Sequence, residues 1–133
     1  MIVCGVDGSA HADAAVRVAA ELAQARHGRL AIAAVNPLSP ASGYPDIRGW
    51  KPEEQEAILR AATHEARRLG VSAQAVAAEG RDIADALIDC ARRLGADHVV
   101  VGTGDRKGLS EWLLGSVARE VAARAPFSVT IAR

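Results

Sequence analysis

The sequence predicts an α/β fold in which an open, mostly parallel sheet is covered by helices on both faces. Continuous apolar runs such as "MIVCGV" and "DHVVV" are typical of strands that are buried on both faces. Segments with apolar residues at helical spacing separate these runs, and the two kinds of segment alternate along the chain. Because the chain has 133 residues, we expect one domain that spans 1–133.

The first elements are a strand, a helix and a second strand. "MIVCGV" at 1–6 is the first strand, and apolar residues then recur every three to four positions, which indicates a helix. We expect Ser9 to cap the start of this helix and Gly28 to end it. "RLAIAAV" at 29–35 is the second strand.

A loop of about 15 residues is predicted at Asn36–Trp50, because "NPLSPASGYPDIRGW" contains three prolines. Loops of this length are more often functional or flexible than accidental. Tyr44 and Trp50 lie in it, and one interpretation is that they form a lid over a binding crevice.

The rest of the chain continues the alternation. Pro52 suits the first turn of a helix, where its missing N–H costs nothing. The pentapeptide "ARRLG" occurs at 66–70 and at 91–95, and each copy places arginines and then glycine at the end of a helix, which predicts the same stop signal twice. The remaining elements are a third strand at 71–80, a helix at 81–95, a fourth strand at 97–102, a helix at 116–125 and a fifth strand at 127–133.

Composition argues against several classes of function. Sixteen basic residues balance sixteen acidic ones without a long basic run, so we expect neither nucleic acid nor a membrane surface as a partner. No apolar stretch is long enough for a membrane span and no leader is recognisable, which predicts a cytoplasmic protein. Cys4 and Cys90 are interpreted as buried reduced thiols, and the four histidines show no metal-site or catalytic-triad spacing.

The glycine-rich stretch "GTGDRKGLSEWLLGS" at 102–116 is the strongest candidate for a binding site. It follows the fourth strand, and ligands of parallel α/β sheets bind outside the carboxyl ends of the strands. Both the P-loop pattern and the GxGxxG dinucleotide pattern fail here by one position. Ser116 is a plausible N-cap whose helix could bind an anion, and "GLSEWLL", capped by Ser110, could bring the two ends of the stretch together.

These residues carry a resemblance to the universal stress protein family, whose nucleotide-binding members have the pattern G-x2-G-x9-G-[ST] after the fourth strand. Gly102, Gly115 and Ser116 match that pattern, and "IVCGVDGSAHADAAVRVA" and "GADHVVVGT" are similar as well. The resemblance implies a Rossmann-like, five-stranded parallel sheet of order 3-2-1-4-5. It also implies ATP, with Mg²⁺ as a possible companion, and a homodimer that pairs through the last strand at Phe127–Ala132.

The resemblance further implies roles for individual residues. Asp7 would bond the adenine or the ribose, Val35 would line the adenine pocket, and the ribose and phosphates would be surrounded by Gly102, Gly115, Ser116 and Val117. The sequence departs from the pattern at Asp105, where the family has its second glycine. A carboxylate there would repel phosphate unless it turned to solvent or were offset by Arg106, Lys107 or Mg²⁺.

Two functional hypotheses remain. The first is a dimeric, ATP-binding regulatory module of stress response with an unknown protein partner, in which hydrolysis is at most slow because no general base or metal-ligand set is identifiable. The second is a dimeric interaction module that has lost the nucleotide through Asp105. Purely structural roles also remain for Asp7 as a turn residue and for Gly115 and Ser116 as a helix start. An ATP-pyrophosphatase is dismissed because "GVDGS" is too short for its phosphate loop.

Overall fold

The computed structural model describes residues 1–104 and 114–133, and it confirms the α/β class. Each helix lies between two strands in the order that the sequence predicts. The elements are β1 (Ile2–Val6), α1 (Ala10–Ala25), β2 (Leu30–Ala41), β3 (Tyr44–Arg48), α2 (Pro52–Arg68), β4 (Ala73–Gly80), α3 (Ile83–Arg93), β5 (His98–Gly102), α4 (Ser116–Arg124) and β6 (Ser128–Ala132).

Five parallel strands form the sheet in the order β4-β2-β1-β5-β6. β1 lies in the middle, where Ile2 pairs with Leu30 of β2 on one side and with His98 of β5 on the other. Counted without β3, this is the predicted order 3-2-1-4-5. The order reverses between β1 and β5, so the carboxyl ends of the central strands flank a natural ligand crevice.

The prediction of a loop at Asn36–Trp50 was wrong, because most of this segment is a β-hairpin. β2 continues to Ala41, and β3 pairs with it in antiparallel fashion from Leu38↔Arg48 to Ala41↔Tyr44. Prolines indicated a loop, but they are tolerated at the edge of a sheet, where a missing N–H breaks no ladder. The hairpin is such an edge, and ion pairs from Asp46 to Arg81 and from Arg48 to Glu79 tie it to the end of β4.

The sheet separates two apolar layers. Ile2 and Cys4 of β1 point to the layer covered by α1 and α2, and Val3 points to the layer covered by α3 and α4. The first layer is rich in alanine, including Ala15 and Ala19 of α1, which are both fully buried. Small side chains let helices approach the sheet closely.

Helix ends follow the predicted signals in part. The Ser9 hydroxyl accepts a hydrogen bond from the Ala12 amide at 3.3 Å, which confirms the cap of α1. Gly70 and Gly95, which close the two "ARRLG" copies, have φ of +88° and +69°, in the left-handed region that favours glycine. α1 ends earlier than expected, at Ala25.

The environment of the cysteines and the character of the helices agree with the composition. Cys4 and Cys90 are both buried and free. Burial raises the pKa of the Cys4 thiol to about 12, so it stays protonated at neutral pH. Within residues 1–104 and 114–133, no helix is long and apolar enough to cross a membrane.

Candidate functional site

A crevice of about 440 Å³ opens at the carboxyl ends of β1, β2 and β5. Its walls come from four separate parts of the chain: the β1–α1 turn, the end of β2, the end of β5 and the start of α4. The predicted site residues that line it are Asp7, Val35, Gly102, Gly115, Ser116 and Val117. The seventh predicted residue, Asp105, lies outside the described residues, as do Arg106, Lys107 and the predicted short helix capped by Ser110.

Asp7 lies in the turn that leads from β1 into α1. Its Oδ1 atom accepts a hydrogen bond from the Ser9 backbone amide at 3.0 Å, so the side chain has the structural role of holding this turn. A carboxylate offers about four acceptor positions on two oxygens, and one bond does not exhaust them. The exposed carboxylate of Asp7 is therefore able to hold the turn and to accept a further bond from a ligand in the crevice.

One wall of the crevice is apolar. Val35 at the end of β2 lines it together with Ala33, Ile83, Leu87 and Val101. Val35 and Leu87 are both buried, and they belong to the same apolar layer. Such a wall suits a flat, weakly polar group such as a nucleobase.

Gly102 lies where the first turn of α1 crosses β5. An ideal Cβ atom at Gly102 would be 2.5 Å from the His11 carbonyl oxygen and 2.7 Å from the His11 carbonyl carbon. Any side chain would therefore displace backbone rather than a flexible group. This glycine has a packing reason that the sequence did not reveal, independent of any ligand.

Gly104 and Gly115 bring the two ends of the glycine-rich stretch into contact. Gly104 has a φ of +86°, and a Cβ atom there would be 2.9 Å from the Gly115 Cα atom. The Gly115 amide donates to the Thr103 carbonyl oxygen at 2.5 Å. The ends thus adjoin, as predicted, and the contact fixes where α4 begins.

The prediction that Ser116 is the N-cap of α4 was wrong. Gly115 is the N-cap and Ser116 is the first helical residue. The close contact with Thr103 and Gly104 leaves room only for a residue without Cβ at the cap. In the described part of the chain no side chain caps α4, and its first turn carries no acidic residue. Its first backbone amides are thus available to an anion.

His11 is a crevice residue that the sequence did not indicate. It lines the crevice, and its Nδ1 atom is 3.1 Å from the Thr103 hydroxyl oxygen. Among the described lining residues there is no lysine or arginine, and Asp7 is the one carboxylate. Recognition of an anion by this part of the crevice would therefore rest on backbone amides, His11 and the hydroxyls of Ser9 and Ser116.

Asn36 and Trp50 form a second feature that was missed. Asn36 is 1% exposed, and its amide group accepts from the Trp50 backbone N–H and donates to the Trp50 carbonyl oxygen, each at 2.9 Å. Trp50 lines the crevice, whereas Tyr44 is 80% exposed and does not. A polar asparagine directly after the apolar run "RLAIAAV" was the available signal, but the prolines obscured it.

An ionic link joins the two helices on the apolar side of the crevice. Arg124 of α4 contacts Asp85 and, at 3.2 Å, Asp82 of the α3 start. The pKa of Asp82 lies below its usual range because it caps the Asp85 backbone amide and also accepts from Arg124. This link joins the start of α3 to the end of α4.

The fold and the crevice define a doubly wound α/β domain with a ligand site where the strand order reverses. The chain belongs to the universal stress protein family, whose sequence model matches residues 1–133.

Similar proteins of known name or structure support this assignment. Universal stress protein YxiE of Bacillus subtilis (strain 168) is 34% identical over 139 residues, which cover 97% of this chain and 93% of that protein. A universal stress protein in complex with cAMP is 31% identical, with a TM-score of 0.76 over 99% of this chain and 94% of that one. A universal stress protein from Archaeoglobus fulgidus in complex with dAMP is 26% identical, with a TM-score of 0.76 over 99% of this chain and 96% of that one.

Proposed function

We propose that this chain is a regulatory module that binds an adenine nucleotide in the crevice at the ends of β1, β2 and β5. The observation that carries the proposal is the convergence of Asp7, Val35, Gly102 and 115–117 on one cavity of about 440 Å³. These residues are far apart in the sequence, and a ligand site is the common reason for such convergence at this edge of a sheet. The relatives in complex with cAMP and dAMP support the choice of adenine.

Each wall has a role in this proposal. The apolar surface around Val35 takes the base, and the Asp7 carboxylate accepts a hydrogen bond from the ribose or from the adenine amino group. The uncapped first turn of α4, at Ser116 and Val117, binds phosphate through its backbone amides. Gly115 keeps that helix start close to the end of β5, so that the phosphate site and the base site are parts of one cavity.

We extend the proposal to ATP, with Mg²⁺ as a bridge between its phosphates and Asp105. Two unit charges about 4 Å apart repel by about 1 kcal/mol in water and by several times more in a partly buried site. Asp105 should therefore weaken ATP by about tenfold or more unless a metal ion bridges the carboxylate and the phosphates. We further propose a cytoplasmic homodimer that pairs through Phe127–Ala132, in which the nucleotide biases partner binding and is hydrolysed slowly if at all.

Calorimetry tests this proposal directly. We expect the purified chain to bind AMP, and we expect Asp7→Ala to weaken AMP at least tenfold because a hydrogen bond to a charged group is lost. Asp105→Gly should strengthen Mg-ATP. If neither the wild type nor Asp105→Gly binds any of AMP, cAMP or Mg-ATP at millimolar concentration, the proposal is wrong. If Asp105→Gly alone binds, the chain is the interaction module that has lost its nucleotide.

A further inference from the structure

Trp50 lines the crevice in which we propose that the nucleotide binds. Of the lining residues in 1–104 and 114–133, it is the one with a large aromatic side chain. It is half-buried and packs against the apolar layer of α1 and α2. Pro37 and Val35 line the same cavity, and Val35 belongs to the apolar layer of α3 and α4 on the other face of the sheet. The cavity therefore has an aromatic surface at Trp50 in addition to the apolar wall around Val35 that suits a base.

The backbone of Trp50 is held by a buried side chain. Asn36, at 1% exposure, bonds both the N–H and the carbonyl oxygen of Trp50 at 2.9 Å. A pair of bonds from one planar amide fixes both the position and the direction of the peptide backbone that it contacts. Asn36 is buried and Trp50 is half-buried, so breaking the pair would leave polar groups without partners at a site that water reaches only in part.

The residues on each side of Trp50 are fixed as well. The Gly49 amide donates to the Pro37 carbonyl oxygen at 2.7 Å, and an added Cβ at Gly49 would be 2.5 Å from the Pro37 Cγ atom. On the other side, Lys51 is the N-cap of α2, and its amide donates to the Glu54 carboxylate at 3.3 Å. The backbone of Trp50 is thus held in place by the Gly49–Pro37 contact on one side and by the start of α2 on the other.

The outer part of the hairpin reinforces this arrangement. Arg81 makes two hydrogen bonds to the Asp46 carboxylate, at 2.7 and 2.8 Å, and Arg48 bonds Glu79 at 2.9 Å. These exposed pairs contribute little energy singly, but they join the hairpin to the end of β4. The segment is therefore a pre-formed wall of the crevice rather than a lid that must close over it.

We propose that Trp50 contacts the base of the bound nucleotide and makes the crevice selective for purines. This inference rests on the proposed function, because it assigns a specificity residue to the same site. Stacking on an aromatic ring favours the larger π-surface of a purine over that of a pyrimidine. Asn36 is the positioning residue, since it sets the place of Trp50 without lining the cavity itself.

The test compares AMP with UMP on three chains: the wild type, Trp50→Leu and Tyr44→Leu. Leucine keeps an apolar side chain at position 50 but removes the stacking surface. We expect Trp50→Leu to weaken AMP about fivefold or more and to lower the AMP-to-UMP affinity ratio. Tyr44→Leu is the matched control, because Tyr44 lies on the same hairpin but is 80% exposed and away from the crevice, and it should match the wild type.

Fluorescence gives an independent readout. The chain has two tryptophans, so Trp112→Phe leaves Trp50 as the sole indole. We expect AMP to change the emission of that variant with the same dissociation constant that calorimetry gives. A structural role alone would alter stability but not the AMP-to-UMP ratio.

The outcomes separate the two proposals. If the wild type binds AMP and Trp50→Leu retains both the affinity and the AMP-to-UMP ratio, the role of Trp50 is refuted and the proposed function stands. If emission from Trp50 does not respond to saturating AMP, the contact is likewise refuted. If the wild type binds no nucleotide, both proposals are refuted.

Discussion

Gly102→Ala is expected to destabilise the fold by about 1–3 kcal/mol, because it overpacks the crossing of α1 and β5. The added Cβ would be 2.5 Å from the His11 carbonyl oxygen, 2.7 Å from its carbon and 3.0 Å from the His11 Cβ. To restore ordinary van der Waals distance, one of the two backbones must move by about 1 Å. That movement shifts the first turn of α1, which carries Ser9 and follows Asp7.

Urea unfolding at neutral pH measures this effect as a lower midpoint at an unchanged slope. Gly28→Ala is the matched control, because the nearest atom to its added Cβ is the Arg26 Cβ at an ordinary 3.9 Å. We expect that variant to be as stable as the wild type or slightly more so. If Gly102→Ala unfolds at the wild-type midpoint, the close crossing of α1 over β5 is refuted.

Three further predictions concern other parts of the structure. Asn36→Ala should lower the free energy of unfolding by about 1–3 kcal/mol in urea titrations, because two backbone groups of the half-buried Trp50 lose their partner. Asp82→Asn keeps the cap of α3 but removes the charge beside Arg124. Since folding lowers the pKa of Asp82, its stabilising effect is present above the ordinary carboxyl pKa and is lost as pH falls through the lowered value. The wild type should therefore be more stable than Asp82→Asn at pH 7, and the difference should begin to shrink below about pH 4 and disappear once the pH is below the lowered pKa of Asp82. Cys4, with a pKa of about 12, should resist iodoacetamide at pH 8 until urea exposes it, as mass spectrometry would show.

Much of the fold was predictable because it depends on patterns of local sequence. The run "MIVCGV" predicted a buried central strand, and Ile2, Val3 and Cys4 are indeed almost fully buried in β1. The two "ARRLG" copies end helices because glycine adopts the left-handed conformation without strain. The strand order came from the family resemblance, since the crossover connections alone do not determine the order of the strands in the sheet.

The hairpin and the glycine contacts could not be predicted, because they depend on distant residues. The three prolines in 36–50 indicated a loop. Asn36 and the ion pairs to the end of β4 nevertheless hold most of this segment as a β-hairpin. The need for glycine at Gly102 arises from His11, which is about ninety positions away. Likewise, the need for glycine at Gly115, the N-cap of α4, arises from its contact with Gly104 across the glycine-rich stretch.

Amide chemical-shift mapping with AMP tests the central claim most directly, and a chain of 13.8 kDa is well suited to it. The account predicts saturable shifts at Gly102, at 115–117 and at the Trp50 amide and indole, which surround one cavity. Amides of the charged groove between β4 and α3, such as those of Glu79 and Asp89, serve as the internal control and should not respond. Shifts confined to that groove, or no shifts at millimolar AMP, would contradict a nucleotide site at the ends of β1, β2 and β5.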